Sequence, residues 1–375
     1  MTAGTLRVVV DARPVNPGLT GIGRYAMGLL HSLDLVGGHV EVSAVIGPEG
    51  AEMMSGLQRV GLIVAERAGE EWTHRDLPDL LRRMKAHVLH SPLFVLPRAP
   101  GCACVTTIHD VIPRARPDLS SREFNAFFEA HAPRAARESA RVVTPSEFSA
   151  RDIERHLPEA AGRTVVILEP VGEQFRRPEP ERMTRVLRGL GLDAGYVLFV
   201  GSLDRRKGMV TLLDAWSILV REGRDVPPLV LAGGFGGAAL DVESEIRRRG
   251  IVEKVKLLGR VEDRVLPALY AGASLFVFPT YYEGFGLPVP EAMACGTPVV
   301  SSRTTSIPEV AGDAAILTTP GEPLELSRAI SLILHDGALR TDLVLRGARR
   351  AAEFSLARQA ESLRGLYESI ALEAR

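Results

Sequence analysis

The chain has 375 residues, 46% of them hydrophobic and 24% charged, with 45 Lys and Arg against 46 Asp and Glu for a formal net charge of −1. That length predicts two domains of about 150–200 residues each, and the even charge balance supplies no basic excess for nucleic acid. Three cysteines (Cys102, Cys104, Cys295) exclude a disulfide framework, and no run of about 18 apolar residues could span a membrane.

Short β-rich apolar runs alternate with longer helical patterns, as expected for parallel sheets built from βαβ units. In the first half the runs are Arg7–Asp11, Val40–Gly47, His87–His90, Cys104–His109, Arg141–Thr144 and Thr164–Leu168. No long apolar signal segment precedes the first of them, so a cytoplasmic protein is expected. Glu123–Ala140 reads as a helix with Phe124, Phe127 and Phe128 on one face, while Pro48–Asp79 carries no readable code. The pattern breaks at Leu168–Pro180, where Pro170, Pro178 and Pro180 among charges predict an exposed linker.

A second series follows at Tyr196–Gly201, Leu229–Ala232, Val255–Leu258, Leu275–Phe278, Pro298–Ser301 and Ala315–Leu317. Helical segments between them include Val210–Arg221, Asp241–Arg249 and Asp263–Ala271, and Ser355–Arg375 reads as a last amphipathic helix. The expected fold class is α/β, with two doubly wound domains joined near residue 175. In such sheets ligands gather beyond the carboxyl ends of the strands, so residues just after strands matter most.

The densest signal follows Leu275–Phe278, in PTYYEGFGLPVPEAMACGTPVV. Glu283 and Glu291 stand eight positions apart, and Gly284, Phe285, Gly286 and Leu287 follow the first. A strand, a glycine-bearing loop and a helix beginning with Pro288 and Pro290 present backbone N–H groups to an anion. The two carboxylates cannot bind that anion, but they can accept hydrogen bonds from hydroxyls on either side of it. A diphosphate with hydroxyls at both ends describes a nucleotide sugar. The bland alternative makes Glu291 a first-turn helix acid and Glu283 a solvated loop residue. Arg206 and Lys207, before Gly208, could hold a diphosphate or form a solvated basic turn. Gly21 and Gly23 permit close backbone approach, although their spacing is not a dinucleotide fingerprint. Ser146 and Glu147 read as a helix cap.

The run EGFGLPVPEAMACGTPVV resembles the E-x7-E motif of the family-4 retaining glycosyltransferases, also called glycosyltransferase group 1. The likeness extends in order through DARPVNPGLTGIGRYAMGLL, HSPLFVLP, TIHDVIP, VTPSEFSARDI, FVGSLDRRKG, LVLAGG, VKLLGRVEDRVLPALYAGASLFVFP and IPEVAGDAAIL. It implies the GT-B fold, two facing Rossmann-like domains with an interdomain cleft. Residues 1–175 would form the acceptor side, 176–354 the donor-binding domain, and 355–375 a helix crossing back to the first domain.

The resemblance implies catalytic roles for Glu283, His109, Lys207 and Arg206. His109 would face the transferred sugar, and the two cations would stabilise the departing diphosphate. Where relatives often carry an arginine this chain has Ser202, so that work passes to Arg206. Glu291 would hold the ribose, the backbone of Gly284–Leu287 the donor sugar, and Arg260 and Val261 the base. Gly21 and Gly23 would shape the loop over the diphosphate, while Glu309 is equally well a first-turn acid. A mannosyl- or rhamnosyl-type enzyme using GDP-mannose is expected, acting on a glycan or lipid-linked acceptor. The nucleotide sugar is a co-substrate, and neither a cofactor nor a metal is implied. A nucleotide-sugar epimerase and a non-catalytic sugar-binding protein are the competing readings. Arg134, Arg137 and Arg141 leave peripheral membrane contact open.

Overall fold

Val8, Val9 and Val10 explain the first sheet: all three are buried, and alternate side chains enter different cores. In this computed structural model, which describes residues 5–18, 20–65, 69–223, 225–234 and 240–373, they form the middle of a parallel sheet. Met1–Gly4, Leu19 of the glycine-bearing segment, and Ala374–Arg375 of the expected last helix lie outside the described residues.

The strands of the first sheet are β1 (Leu6–Asp11), β2 (Val40–Ile46), β3 (Gly61–Val64), β4 (Val88–Ser91), β5 (Ala103–Thr107), β6 (Arg141–Thr144) and β7 (Thr164–Val166). Their order is β3-β2-β1-β4-β5-β6-β7, and Val8 pairs in parallel with both Val42 and Val88. On one face Val8 and Val10 meet Tyr25, Leu29 and Leu33 of the helix Gly21–Asp34. On the other, Val9 meets Leu77 and Leu81 of the helix Glu70–Met84, together with Phe128. Pro48–Asp79 is therefore no loop: it holds the helix Pro48–Met53, strand β3 and the start of that second helix. β3 escapes a sequence reading because its four residues sit at the sheet edge with no buried side chain.

The phenylalanine helix spans Arg122–Glu138, and the rings of Phe124, Phe127 and Phe128 all approach Phe94. Ser146 caps the helix Glu147–His156 by accepting the Ser149 N–H at 3.0 Å. The last helix, Leu356–Glu373, buries Leu363, Leu366, Tyr367 and Ile370 in the core that holds Val8 and Val10.

The second sheet comprises β8 (Val197–Val200), β9 (Leu229–Ala232), β10 (Val255–Gly259), β11 (Leu275–Phe278), β12 (Val299–Ser302) and β13 (Ala315–Thr318). Its order is β10-β9-β8-β11-β12-β13. The central runs VLFV, LVLA and LFVF are buried throughout, as strands covered on both faces require.

By contacts the chain forms two compact units, one of residues 1–115, 122–170 and 355–375, the other of 116–121 and 171–354. The division falls after Pro170, and the expected linker Leu168–Pro180 is exposed over most of its length but anchored at three buried residues, Glu169, Pro170 and Phe175. Glu169 is buried in the first unit, and Phe175 is buried in the second against Tyr270, ring centroids 6.1 Å apart. Both sheets reverse their strand order once, at β1/β4 and at β8/β11. Such switch points leave a crevice beyond the strand ends.

Arg134, Arg137 and Arg141 are occupied locally. Arg134 bonds Glu138 at 3.1 Å and the Leu96 carbonyl, Arg137 lies 3.8 Å from Glu159, and Arg141 pairs with Glu373. Among the described residues no helix is long and apolar enough to cross a membrane.

Candidate active site

The turn after β8 is built around one carboxylate. Asp204 accepts the Ser202 hydroxyl at 2.7 Å on one oxygen and the Lys207 N–H at 3.0 Å on the other. Gly208 follows at φ +72°, capping the helix Met209–Arg221. A Cβ there would lie 1.8 Å from the Pro279 carbonyl oxygen, so only glycine lets the turns after β8 and β11 touch. One main-chain bond and one side-chain bond then tie the two turns together. Tyr281 N–H donates to the Arg206 carbonyl at 2.8 Å, and Arg206 Nη1 donates to the Tyr282 carbonyl at 3.3 Å.

This geometry carries three charges to one point at the β8/β11 switch. Lys207 Nζ donates to Glu283 Oε1 at 2.6 Å, Thr280 Oγ1 donates to the same oxygen at 2.7 Å, and Arg206 Nη1 stands 3.6 Å away. Lys207 and Glu283 are both buried, and the ammonium lies 5.0 Å from the centroid of the Phe278 ring. Burial alone would raise the Glu283 carboxyl, but Lys207 and Arg206 outweigh it and hold the group below the usual carboxylate range. Burial and the neighbouring Arg206 pull Lys207 below an ordinary lysine despite its partner. Glu283 is therefore an ionised acceptor with Oε1 crowded by donors. Among the described residues no hydrogen bond is formed by Oε2.

The main chain between the two glutamates is clamped from the β12 side. Glu283 N–H donates to Thr305 Oγ1 at 3.1 Å, and Ser306 Oγ donates to the carbonyls of both Glu283 and Phe285 at 3.0 Å. Thr305 holds φ at +49°, a costly conformation for a β-branched residue and one that gathers at functional sites. Gly286, at φ +93°, passes the Ile307 side chain where a Cβ would meet it at 2.6 Å. Leu287 then caps the short helix Pro288–Ala294. Glu291 is buried on that helix and accepts the Tyr270 hydroxyl at 2.9 Å. Phe285 turns its ring into the core against Phe354.

Lys207, Arg206 and Glu283 are thus brought into contact, with Gly284–Leu287 leading on to Glu291. The Ser202 hydroxyl serves Asp204 instead. Arg260 and Val261 follow β10, two strands from β8 in the sheet. In the first unit, Gly21 and Gly23 lie in the first turn of their helix, where Thr20 Oγ1 accepts the Gly23 N–H at 3.3 Å. His109 follows β5, its ring edge-on to Tyr25 with centroids 4.5 Å apart. Glu309 occupies the first turn of the helix Ile307–Ala311. Sequence reasoning missed Thr280, Thr305, Ser306 and Tyr270, all held in place by chain folding. Asp204 did carry a local signal, because an Asp three residues before a backbone donor can close its own turn.

A profile described as "Glycosyl transferases group 1" matches residues 188–350, and one described as "Glycosyltransferase Family 4" matches residues 19–173. O-antigen chain mannosyltransferase B of Escherichia coli is 31% identical over 375 aligned positions, covering 93% of this chain and 96% of that protein. The chain belongs to the group 1 glycosyltransferases. A serotype-specific mannosyltransferase of Escherichia coli is 28% identical to this glycosyltransferase over 73% of the chain and 34% of that protein. Sucrose-phosphate synthase from Thermosynechococcus elongatus superposes with a TM-score of 0.74 at 21% identity, covering 99% of this chain and all (100%) of the other. The Anabaena protein HepE, solved with UDP-glucose, superposes with a TM-score of 0.75 at 19% identity, covering 97% and 100% of the two chains. At such identities the likeness shows the fold, which is GT-B: two parallel-sheet domains with alternating helices.

Proposed function

We propose that this glycosyltransferase moves mannose from GDP-mannose to a hydroxyl of a glycan or lipid-linked acceptor, with retention of configuration and without a metal. The observation that carries the reading is the buried Lys207–Glu283 pair, reinforced by Arg206, at the switch point where a ligand meets the strand ends. The mannosyltransferase relatives support the choice of sugar.

In this reading Lys207 keeps two N–H donors beyond the one given to Glu283, and with Arg206 it takes up charge on the diphosphate as the anomeric C–O bond breaks. Glu283 Oε2 and the backbone of Gly284–Leu287 orient the sugar through its hydroxyls. Glu291, steadied by Tyr270, accepts from the ribose. The acceptor oxygen bonds to the anomeric carbon on the face the diphosphate leaves, and its proton passes to the departing phosphate oxygen. The transition state has oxocarbenium character, so positioning and leaving-group stabilisation supply the acceleration.

Melting temperatures measured with GDP-, UDP-, ADP- and dTDP-sugars test the donor. A ligand present at a hundred times its Kd adds about 2.7 kcal/mol of stability, so GDP-mannose should give the largest upward shift. A shift with a uridine sugar and none with GDP-mannose would overturn the donor assignment. Glu291→Gln should raise the donor KM about tenfold, the loss of one charged hydrogen bond, with kcat little changed. An unaltered KM would refute the ribose role.

A further inference from the structure

Buried His90 and half-buried His109 of the first unit are treated in opposite ways. His90 donates and accepts within a neutral chain: its Nδ1 is 2.6 Å from the Tyr367 hydroxyl and its Nε2 is 2.9 Å from Thr107 Oγ1, which is 3.0 Å from the Tyr25 hydroxyl. Among the described residues no carboxylate joins it, and burial pushes its pKa down to about 3. His109, on the far side of the Tyr25 ring, instead meets two acceptors. Its Nδ1 lies 3.0 Å from Glu169 Oε1, and its Nε2 lies 3.3 Å from the carbonyl oxygen of Pro92. With Glu169 ionised, a ring satisfies both contacts only when each nitrogen carries a proton. Glu169 is itself buried, so its charge needs this partner.

We propose that Glu169 is the positioning residue for His109, gripping Nδ1 so that the ring stays an imidazolium whose Nε2–H, held at 3.3 Å by the Pro92 carbonyl, is shared with a hydroxyl of the transferred sugar. This rests on the reading that His109 faces that sugar. The titratable groups around the ring agree with the assignment. Burial opposes the cation, Glu169, Asp110 and the Pro92 carbonyl favour it, His90 stays neutral, and Tyr25 presents an uncharged ring, its hydroxyl held by Thr107 with a pKa raised by burial. The balance holds His109 above an ordinary histidine. The same bond fixes the ring, so that Nε2, on the longer 3.3 Å contact with the Pro92 carbonyl, is the nitrogen a ligand hydroxyl can share.

The sign follows directly: transfer needs the cation, so it falls as pH rises through the pKa of His109. Glu169→Gln keeps the shape and removes the charge. It should move that alkaline limb down by about one pH unit, and above the limb kcat should drop about tenfold with the donor KM nearly unchanged. Glu169→Asp should restore part of the shift. In a His109→Ala background the Glu169→Gln change should cost nothing further, because its effect runs through the ring. An unmoved limb in Glu169→Gln, or losses that simply add in the double variant, would overturn the proposal. NMR titration of the His109 ring separates this from the transfer reading. A lowered ring pKa in Glu169→Gln supports the grip even if the protein transfers no sugar at all, and an unchanged one sinks it.

Discussion

Lys207→Ala should lower kcat/KM for sugar transfer by about a hundred- to a thousandfold, the range for losing one preorganised charge at a developing anion. Stability should fall with it. Removing one partner of a buried ion pair leaves the other unpaired, at a cost of about 3–5 kcal/mol. The lower end applies here, because Thr280 and Arg206 still donate toward Glu283 Oε1. The two effects separate in a double variant. Lys207→Met with Glu283→Gln removes both charges while keeping the volume, so urea unfolding should show most of the stability restored and the transfer assay no recovered rate. Wild-type turnover in Lys207→Ala would sink the assignment, and so would recovered turnover in the double variant.

The same pair sets an acid limit. Glu283 is held below its unfolded value, so its contribution is complete above the ordinary carboxylate range and is lost as pH falls through the lowered folded value. Arg206 and Lys207 are then left close together without their counter-charge. In the proposed function, a chain of net charge −1 needs no overall basic surface to hold a diphosphate. The positive charge is concentrated locally: Lys207 is buried beside the Phe278 ring with its N–H held by Asp204, and Arg206 is half-buried next to it.

What could be read from the sequence follows physical rules. Central strands such as β8 and β11 are apolar throughout because both faces are covered, so they stand out against the helices between them. The edge strand β3 does not, because none of its residues is buried. Lys207 and Glu283 were legible because each follows soon after a strand end, where this fold class binds ligands, and Glu291 because it lies in the first turn of the helix that comes next. Their supports were not. Tyr270 reaches Glu291 from 21 residues away, Thr305 reaches Glu283 from 22, and Glu169 reaches His109 from 60. Such pairs are set by tertiary packing, and a single sequence carries no local trace of them. Glu169 was further hidden among prolines that suggest an exposed linker, although its side chain is buried.

Gly208→Ala should be among the most damaging small changes in the second unit. At φ +72° an alanine pays about 1–2 kcal/mol for the left-handed conformation. Its methyl would also sit 1.8 Å from the Pro279 carbonyl oxygen, a backbone atom that cannot swing aside. The total should exceed about 3 kcal/mol, in the range of strain at special backbone positions. Gly250→Ala is the control: it has a similar φ of +67° at the end of the helix Val242–Arg249, but nothing lies within 4 Å of the added methyl. That variant should lose only about 1–2 kcal/mol and keep its kcat. Relief of the clash in Gly208→Ala must push the turn after β8 away from the turn after β11. The Lys207–Glu283 contact of 2.6 Å would then lengthen, and the transfer rate should fall even in the fraction that remains folded. Urea unfolding and initial rates, measured on both variants, decide the matter. Equal stability in the two would show that the turns can separate freely, and a normal rate in Gly208→Ala would show that catalysis does not depend on the contact.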